Sequence, residues 1–318
     1  MTDLLTDDDD DLFTPVGGSV RTQYGLNPAE TRYLFPPPPG QPHRRAGYRR
    51  MTKLVAAFSD QERLSLWLEW KAFMGLRVND GLLFDEWMAE PIEGMELADQ
   101  REVANKYAAK AREAAGADAA ARRGTARHQM MDTFLTKGEV TGTRSMRTQL
   151  ASAMEALDRC GFEVVQSETR IWHPACDGTV GTLDVLVSCR RTGLVGILDW
   201  KTQARFWTWQ EIGGQLYGYD SAPWTWEGPP DARGGWVESI PRTLLGHPDG
   251  ELAGKRVALV AHMPQHPGPG QLPVEIYEVD MGYGRRVLEV AAENIELRSI
   301  GRSVAVGRRP SGIRPPQR

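Results

Sequence analysis

The sequence predicts an α/β protein in which a mixed central sheet is flanked by helices, with a helical segment before it. Between about residues 116 and 300 the hydrophobic pattern gives a helix, three strands, a helix, two strands and a helix. That order predicts a sheet with helices packed on its faces. Earlier, from about 59 to 115, apolar residues such as Leu64, Trp67 and Leu68 recur at spacings of three and four, which is typical of helices.

Composition divides the chain into four segments. Residues 1–50 combine an acidic run, four consecutive prolines and several arginines, so we expect a disordered arm. Residues 51–120 are the expected helical segment, and residues 121–300 are the expected α/β core. Residues 301–318 are rich in arginine and proline, and we expect a flexible basic tail.

Periodicity and turn residues place the elements of the core. Beside a helix around His128, expected helices cover about residues 143–160, 208–220 and 283–300. Expected strands cover about residues 162–173, 179–190, 194–202, 256–263 and 274–281, and the short loop 191–193 makes a hairpin of the second and third. Residues 222–254, rich in Trp, Pro and Gly, are expected to be an insertion without assigned elements.

Bulk properties exclude some classes of protein. The 318 residues include 41% hydrophobic and 25% charged residues, as in ordinary globular proteins. We find neither a secretory signal nor a run of about 20 apolar residues, so the expected location is the cytoplasm, away from membranes. Cys160, Cys176 and Cys189 lie far apart, which argues against an iron–sulfur cluster. The net charge of −4 leaves room for a basic cleft that binds DNA.

The predicted hairpin carries residues suited to phosphodiester hydrolysis. That reaction needs an activated water and neutralisation of charge at the phosphate, and Mg²⁺ or Mn²⁺ held by carboxylates supplies both. Asp184 lies in the first strand, and Asp199 and Lys201 lie in the second. Because side chains alternate along a strand, Asp199 and Lys201 share a face, and Asp184 comes from the neighbouring strand.

A structural reading of the same residues is open. Asp199 and Lys201 taken alone would often be a weak ion pair on an edge strand. The third residue, Asp184, on the preceding strand favours the functional reading, because carboxylates in such apolar runs rarely lack a partner or a metal.

The motifs resemble the PD-(D/E)XK nuclease superfamily, in particular the RecB-like exonucleases found in actinobacteriophages. The matching motifs, in order, are Gly124-Thr125-Ala126-Arg127-His128, Gly181-Thr182-Leu183-Asp184, Asp199-Trp200-Lys201-Thr202 and Gln215-Leu216-Tyr217-Gly218-Tyr219. The resemblance covers about residues 124–281 and implies a core like that of restriction endonucleases.

The resemblance also implies a role for each residue. His128, Asp184, Asp199 and the main-chain carbonyl of Trp200 would hold Mg²⁺ or Mn²⁺, and Lys201 would orient the water and stabilise negative charge. A further three residues would line or brace the site: Gln215, Tyr219 and Glu168. A structural salt bridge is an equal alternative for Glu168. The relatives' four-cysteine iron–sulfur cluster has no counterpart here.

The expected function is therefore a metal-dependent DNA exonuclease. The resemblance implies DNA as partner, a role in phage recombination or DNA processing in the host cytoplasm, and possible cooperation with a phage recombination or annealing protein. Two alternatives stay open: a catalytically silent DNA- or partner-binding module, and a restriction-type endonuclease. The oligomeric state is left open.

Overall fold

The structure, a computed structural model, describes residues 25–27, 32–34, 36–41, 47–58, 61–117, 119–202, 208–228, 234–264 and 273–304. The helices are α1 (Met51–Val55), α2 (Gln61–Leu76), α3 (Leu82–Met88), α4 (Leu97–Ala114), α5 (Ala119–Lys137), α6 (Arg144–Arg159), α7 (Trp209–Asp220) and α8 (Met281–Val304). The strands are β1 (Gly25–Asn27), β2 (Arg32–Leu34), β3 (Tyr48–Arg50), β4 (Phe162–His173), β5 (Thr179–Cys189), β6 (Val195–Lys201), β7 (Trp224–Glu227), β8 (Gly235–Glu238), β9 (Val257–His262) and β10 (Glu275–Asp280).

All these strands join one mixed sheet. The pairs β3–β5 and β6–β9 are parallel, and the other pairs are antiparallel. β4 and β5 form the longest pair, and β5 continues through a tight turn into β6. The predicted α/β class with a mixed sheet flanked by helices is therefore confirmed.

Two hydrophobic clusters bind helices to opposite faces of the sheet. One cluster joins α1, α7 and α8 to the sheet, with Leu186 and Ile197 among its buried residues. The other joins α5 and α6 to the sheet, with Val187 and Trp200 among its buried residues. Because neighbouring residues of β5 and β6 enter different clusters, both faces of these strands are buried, which accounts for consecutive apolar residues such as Val185, Leu186 and Val187.

The predicted elements around the hairpin are confirmed. α6 begins after Thr143, whose side chain accepts a hydrogen bond from the Met146 amide (3.4 Å). It ends before Gly161, which has a φ of 74°. This conformation is open to glycine and ends helices. No helix in the described ranges is both long enough and apolar enough to cross a bilayer.

Three expectations about boundaries need correction. The arm assigned to residues 1–50 contributes β1, β2 and β3, and Tyr48 of β3 is buried against Trp172 and Val180. The insertion at 222–254 holds β7 and β8, which extend the sheet beyond β4. The last helix runs to Val304, four residues beyond the predicted end. The rest of the predicted tail, 305–318, lies outside the described residues.

Within the predicted helical segment 51–120, α2, α3 and α4 pack on one another, whereas α1 packs with α7 and α8 on the sheet. α2 crosses α4 where Gly75 meets the Ala111 backbone, and any Cβ at Gly75 would overlap the Ala111 carbonyl. The Lys71 ammonium donates to the Ala115 carbonyl oxygen (2.8 Å) near the end of α4. Since one face of α2 is fixed against α4, its opposite face is left at the surface.

Candidate active site

The candidate site lies where β5 changes neighbours. Residues 185–188 of β5 pair with β6, whereas Thr179 and Val180 pair with β3 along the same edge. Between these two stretches of β5, its partner on this edge changes from β3 to β6. We call the opening between β3 and β6 at this point the fork. The register that pairs Val185 with Leu198 places Asp184 opposite Asp199 at the mouth of the fork. Residues opposite each other in an antiparallel pair have side chains close together.

The Asp184 carboxylate fills the gap that the fork opens. Its Oδ2 accepts a hydrogen bond from the Trp200 amide (2.8 Å), in the place of a backbone acceptor on β5. On the other edge of β6, the Met263 amide donates to the Lys201 carbonyl (2.7 Å). Because the amide and carbonyl of one strand residue point the same way, the Trp200 carbonyl faces the fork with Asp184.

Asp199 and Lys201 form a buried ion pair beside the fork. The Lys201 Nζ lies 2.7 Å from Asp199 Oδ2. Their residues are only 2% and 7% exposed. Removing two charges from water costs several kcal/mol for each ion, which a surface pair avoids. The alternative of an exposed edge-strand pair is thus excluded by this burial and by the pairing of β6 with both β5 and β9.

His128 reaches the same cluster from α5. Its Nδ1 lies 3.5 Å from Asp184 Oδ2. The neighbouring residue, Arg127, is buried, and its Nε donates to Gln149 of α6 (2.7 Å). Gln149 in turn donates to the Pro264 carbonyl (2.8 Å), which follows β9. This buried chain fixes α5 against the end of the sheet, and sequence patterns did not indicate it.

The glycine of the α5 motif has a packing role. A Cβ at Gly124 would lie 3.2 Å from Thr202 Oγ1. That separation is closer than most Cβ contacts, so a larger residue would push α5 away from the end of β6. Two motifs that lie about 75 residues apart in sequence are therefore in direct contact beside the candidate site.

The charges of the cluster alter one another's pKa values. Burial is the largest single influence and favours the neutral form of His128, but the charge of Asp184, its hydrogen bond with His128 and the charge of Asp199 together raise the pKa of His128 to about 9. Burial also opposes ionisation of Asp184, yet His128 and Lys201 hold its pKa below the usual value. Burial raises the pKa of Asp199 to about 6, against the attraction of Lys201. The two carboxylates thus lie beside the buried Lys201 ammonium and the partly buried His128 imidazole.

Glu168 lies beside Asp184 on the third strand of this region. The register of β4 with β5 places it between the pairs Ser167–Val185 and Thr169–Leu183, opposite Asp184. Its φ of 48° is left-handed, which costs a residue with a Cβ about 1–2 kcal/mol. Such strain often accompanies functional sites. Asp199, Asp184 and Glu168 therefore follow one another across three adjacent strands.

Gln215 and Tyr219 lie next to the site rather than within the carboxylate cluster. The Gln215 side-chain amide donates to the Tyr219 hydroxyl (3.0 Å). Tyr219 is buried against Gly181 of β5, where an added Cβ would lie 2.5 Å from its ring. The described contacts thus give this pair a bracing position against the strand that carries Asp184.

The donor atoms at the fork fit a hard divalent cation in type. Two carboxylates and a main-chain carbonyl are the ligands that Mg²⁺ and Mn²⁺ prefer, and imidazole is compatible with Mn²⁺. Within the part of the chain that the structure describes, no group of three or more His, Cys, Asp and Glu side chains is already arranged to hold a metal ion. Lys201 contacts only one oxygen of Asp199, Oδ2, and the other carboxylate oxygen is not part of this ion pair.

Comparisons with known proteins leave the family of this chain open. No protein-family model matches the sequence, and no curated protein matches it.

Proposed function

We propose that this protein is a metal-dependent deoxyribonuclease of the PD-(D/E)XK kind that degrades DNA from its ends. The observation that carries the proposal is the fork, where Asp184, Asp199, Lys201 and His128 come together from β5, β6 and α5. Burying two carboxylates and a lysine costs free energy, and apolar residues at these positions would stabilise the sheet at least as well. Stability of the fold therefore does not explain why charged residues stand here.

Each residue has a distinct task in this proposal. Asp184, Asp199, His128 and the Trp200 carbonyl would hold the cation. When bound, Mg²⁺ or Mn²⁺ would supply charge neutralisation at the scissile phosphate and a water of lowered pKa. The Lys201 ammonium, freed from Asp199, would donate to a phosphate oxygen and stabilise the charge that grows there in the transition state.

The neighbourhood of the site offers contacts for the DNA backbone. Arg122 and Arg123 are exposed on α5, about one and a half turns before His128. Arginines bind phosphates without reading sequence. This arrangement favours a sequence-tolerant nuclease. The resemblance in the motifs further suggests phage DNA recombination or processing, with a recombination or annealing protein as partner.

Substitutions at the fork test the chemistry. Asp184→Asn and Asp199→Asn should each lower the rate of DNA cleavage at least about a hundredfold, because they weaken cation binding. Lys201→Ala should lower the rate by about as much and leave Mn²⁺ binding, measured by calorimetry, largely intact. Lys255→Ala is the matched control, since Lys255 pairs with Asp280 (3.2 Å) on the surface. Cleavage in excess EDTA, or full activity of Lys201→Ala, would contradict the mechanism.

The form of the DNA separates the proposal from its rivals. Linear DNA should shorten progressively in Mg²⁺ or Mn²⁺, while relaxed closed circles persist. Discrete fragments from a closed circle would instead indicate a restriction-type endonuclease. Binding of DNA without cleavage under all metal conditions would indicate a silent binding module.

A further inference from the structure

An exposed apolar stripe runs along α2, on the face opposite Gly75, the residue that meets the Ala111 backbone of α4. The stripe consists of Leu66, Trp70, Phe73 and Met74, which recur at spacings of three and four and are all exposed. Phe73 is the most exposed of them, at 71%. Exposing a contiguous apolar surface to water costs free energy. Such a stripe is therefore typical of a surface that another molecule covers.

Phe73 also borders two grooves between the helices. One, of about 260 Å³, lies between α2 and α4, with Ala72, Leu76 and Tyr107 among its lining residues. The other, of about 520 Å³, reaches Phe84 of α3. A cavity of about 150 Å³ accommodates benzene, so either groove has room for an aromatic ring from a second molecule.

The exposed area matches what a protein interface needs. The stripe and Phe84 together expose roughly 500 Å² of apolar side chain, taking about 150–250 Å² for a whole aromatic side chain. A standard interface buries about 800 Å² on each partner, of which somewhat more than half is apolar. The stripe and Phe84 together thus expose about the apolar area that one side of a dimer requires.

The charges beside the stripe are arranged to complement a copy of themselves. Glu69 and Arg77 lie four residues before and after Phe73, each about 6 Å from it along the helix direction. Both are exposed, and neither is paired with another described residue. If two copies of α2 pack antiparallel about Phe73, Glu69 of each copy faces Arg77 of the other.

From this pattern we infer that the protein forms a homodimer in which α2 packs antiparallel against α2 of a second copy, centred on Phe73. A twofold axis is the commonest symmetry of homo-oligomers, and it needs one self-complementary patch. DNA does not fit this surface, because binding to its phosphates requires several cations. Beside the stripe, the cation Arg77 is accompanied by the acidic Glu69.

Charge reversal in the full-length protein tests the register. Sedimentation velocity should show a dimer whose dissociation constant rises at least about tenfold in Glu69→Arg and in Arg77→Glu, because each places like charges across the axis. The double variant, Glu69→Arg with Arg77→Glu, should return close to the wild-type dissociation constant. Phe73→Asp should give a monomer. Glu102→Arg, exposed on α4, is the control and should leave the dimer unchanged.

Several outcomes would overturn the inference. A wild-type protein that stays monomeric at high concentration would contradict the homodimer. An oligomer that persists in Phe73→Asp would place the interface elsewhere. A double variant that folds, by circular dichroism, but does not recover the dimer would exclude the antiparallel register. None of these measurements uses DNA cleavage, so their outcome is separate from that of the proposed nuclease function.

Discussion

At the scale of single residues, Asp184 has more than one role in the candidate site. One carboxylate oxygen completes the hydrogen bonding of the Trp200 amide and lies 3.5 Å from His128 Nδ1. Asp184 thus has a structural task, closing the fork, besides its proposed task of holding a cation. Loss of stability and loss of activity therefore have to be measured separately in any Asp184 variant.

A substitution at Glu168 can separate the effect of backbone strain on stability from the effect of the carboxylate on DNA cleavage. Asparagine tolerates the left-handed conformation better than glutamate, so Glu168→Asn should keep the free energy of unfolding or raise it by up to about 1 kcal/mol. If the carboxylate serves the proposed nuclease site, cleavage should fall at least about tenfold. Urea unfolding and a cleavage assay on the same preparation measure the two effects.

Glu163→Asn is the control for this experiment, because Glu163 lies on the same strand but pairs with Arg190 at the surface (2.8 Å). It should change neither quantity by much. Unchanged cleavage in Glu168→Asn would assign Glu168 a structural role only.

At the scale of elements, the contact of α7 with α8 depends on two glycines. A Cβ at Gly284 of α8 would overlap the Gly213 carbonyl of α7, and backbone cannot move aside as a side chain can. Gly284→Ala should therefore lower the free energy of unfolding by about 1–3 kcal/mol, although alanine is the better helix former. Chemical unfolding measures this.

Gly235→Ala on β8 is the control, since an added Cβ there meets nothing within 4 Å. A Gly284→Ala variant as stable as the wild type would mean that α7 and α8 can separate without loss, and that the close backbone contact is not required.

The elements that the sequence predicted well are those with local signals. β4, β5 and β6 were placed within a residue or two because their apolar runs are bounded by turn residues. β7 and β8 were missed because Trp-, Pro- and Gly-rich segments resemble loops. β7 pairs with β4, β8 pairs with β7, and the Trp226 and Trp236 rings meet edge to face. Such contacts depend on partners that are distant in sequence.

In the candidate site too, some features were predictable from local sequence patterns and others were not. Alternation along two strands predicted that Asp184, Asp199 and Lys201 would meet, and the structure brings them together. The buried chain from Arg127 through Gln149 to Pro264 was not predictable, because its last hydrogen bond joins residues 115 positions apart. Sequence spacing thus indicated which groups come together at the candidate site, whereas packing determines which groups hold them in place.

At the scale of the whole molecule, stability should depend on the protonation of His173 at the end of β4. Its Nδ1 accepts a hydrogen bond from the Ala175 amide (3.1 Å), and burial lowers the pKa of His173 to about 4. An unfolded chain binds the proton near the ordinary pKa of about 6.5. Between these values the unfolded state binds more protons, so the free energy of unfolding falls as the pH is lowered from about 6.5 to about 4.

This contribution should be roughly 1–3 kcal/mol, and it should vanish in His173→Asn, whose amide oxygen can accept the same hydrogen bond without titrating. Urea unfolding of both proteins from pH 7 to pH 4 isolates it, because all other groups are shared and cancel in the difference. His247→Asn is a matched control, since the exposed His247 makes the same contact with the amide two residues later (3.3 Å). If wild type and His173→Asn lose stability in parallel, His173 does not couple protonation to folding, and the acid sensitivity of the protein arises from its carboxylates.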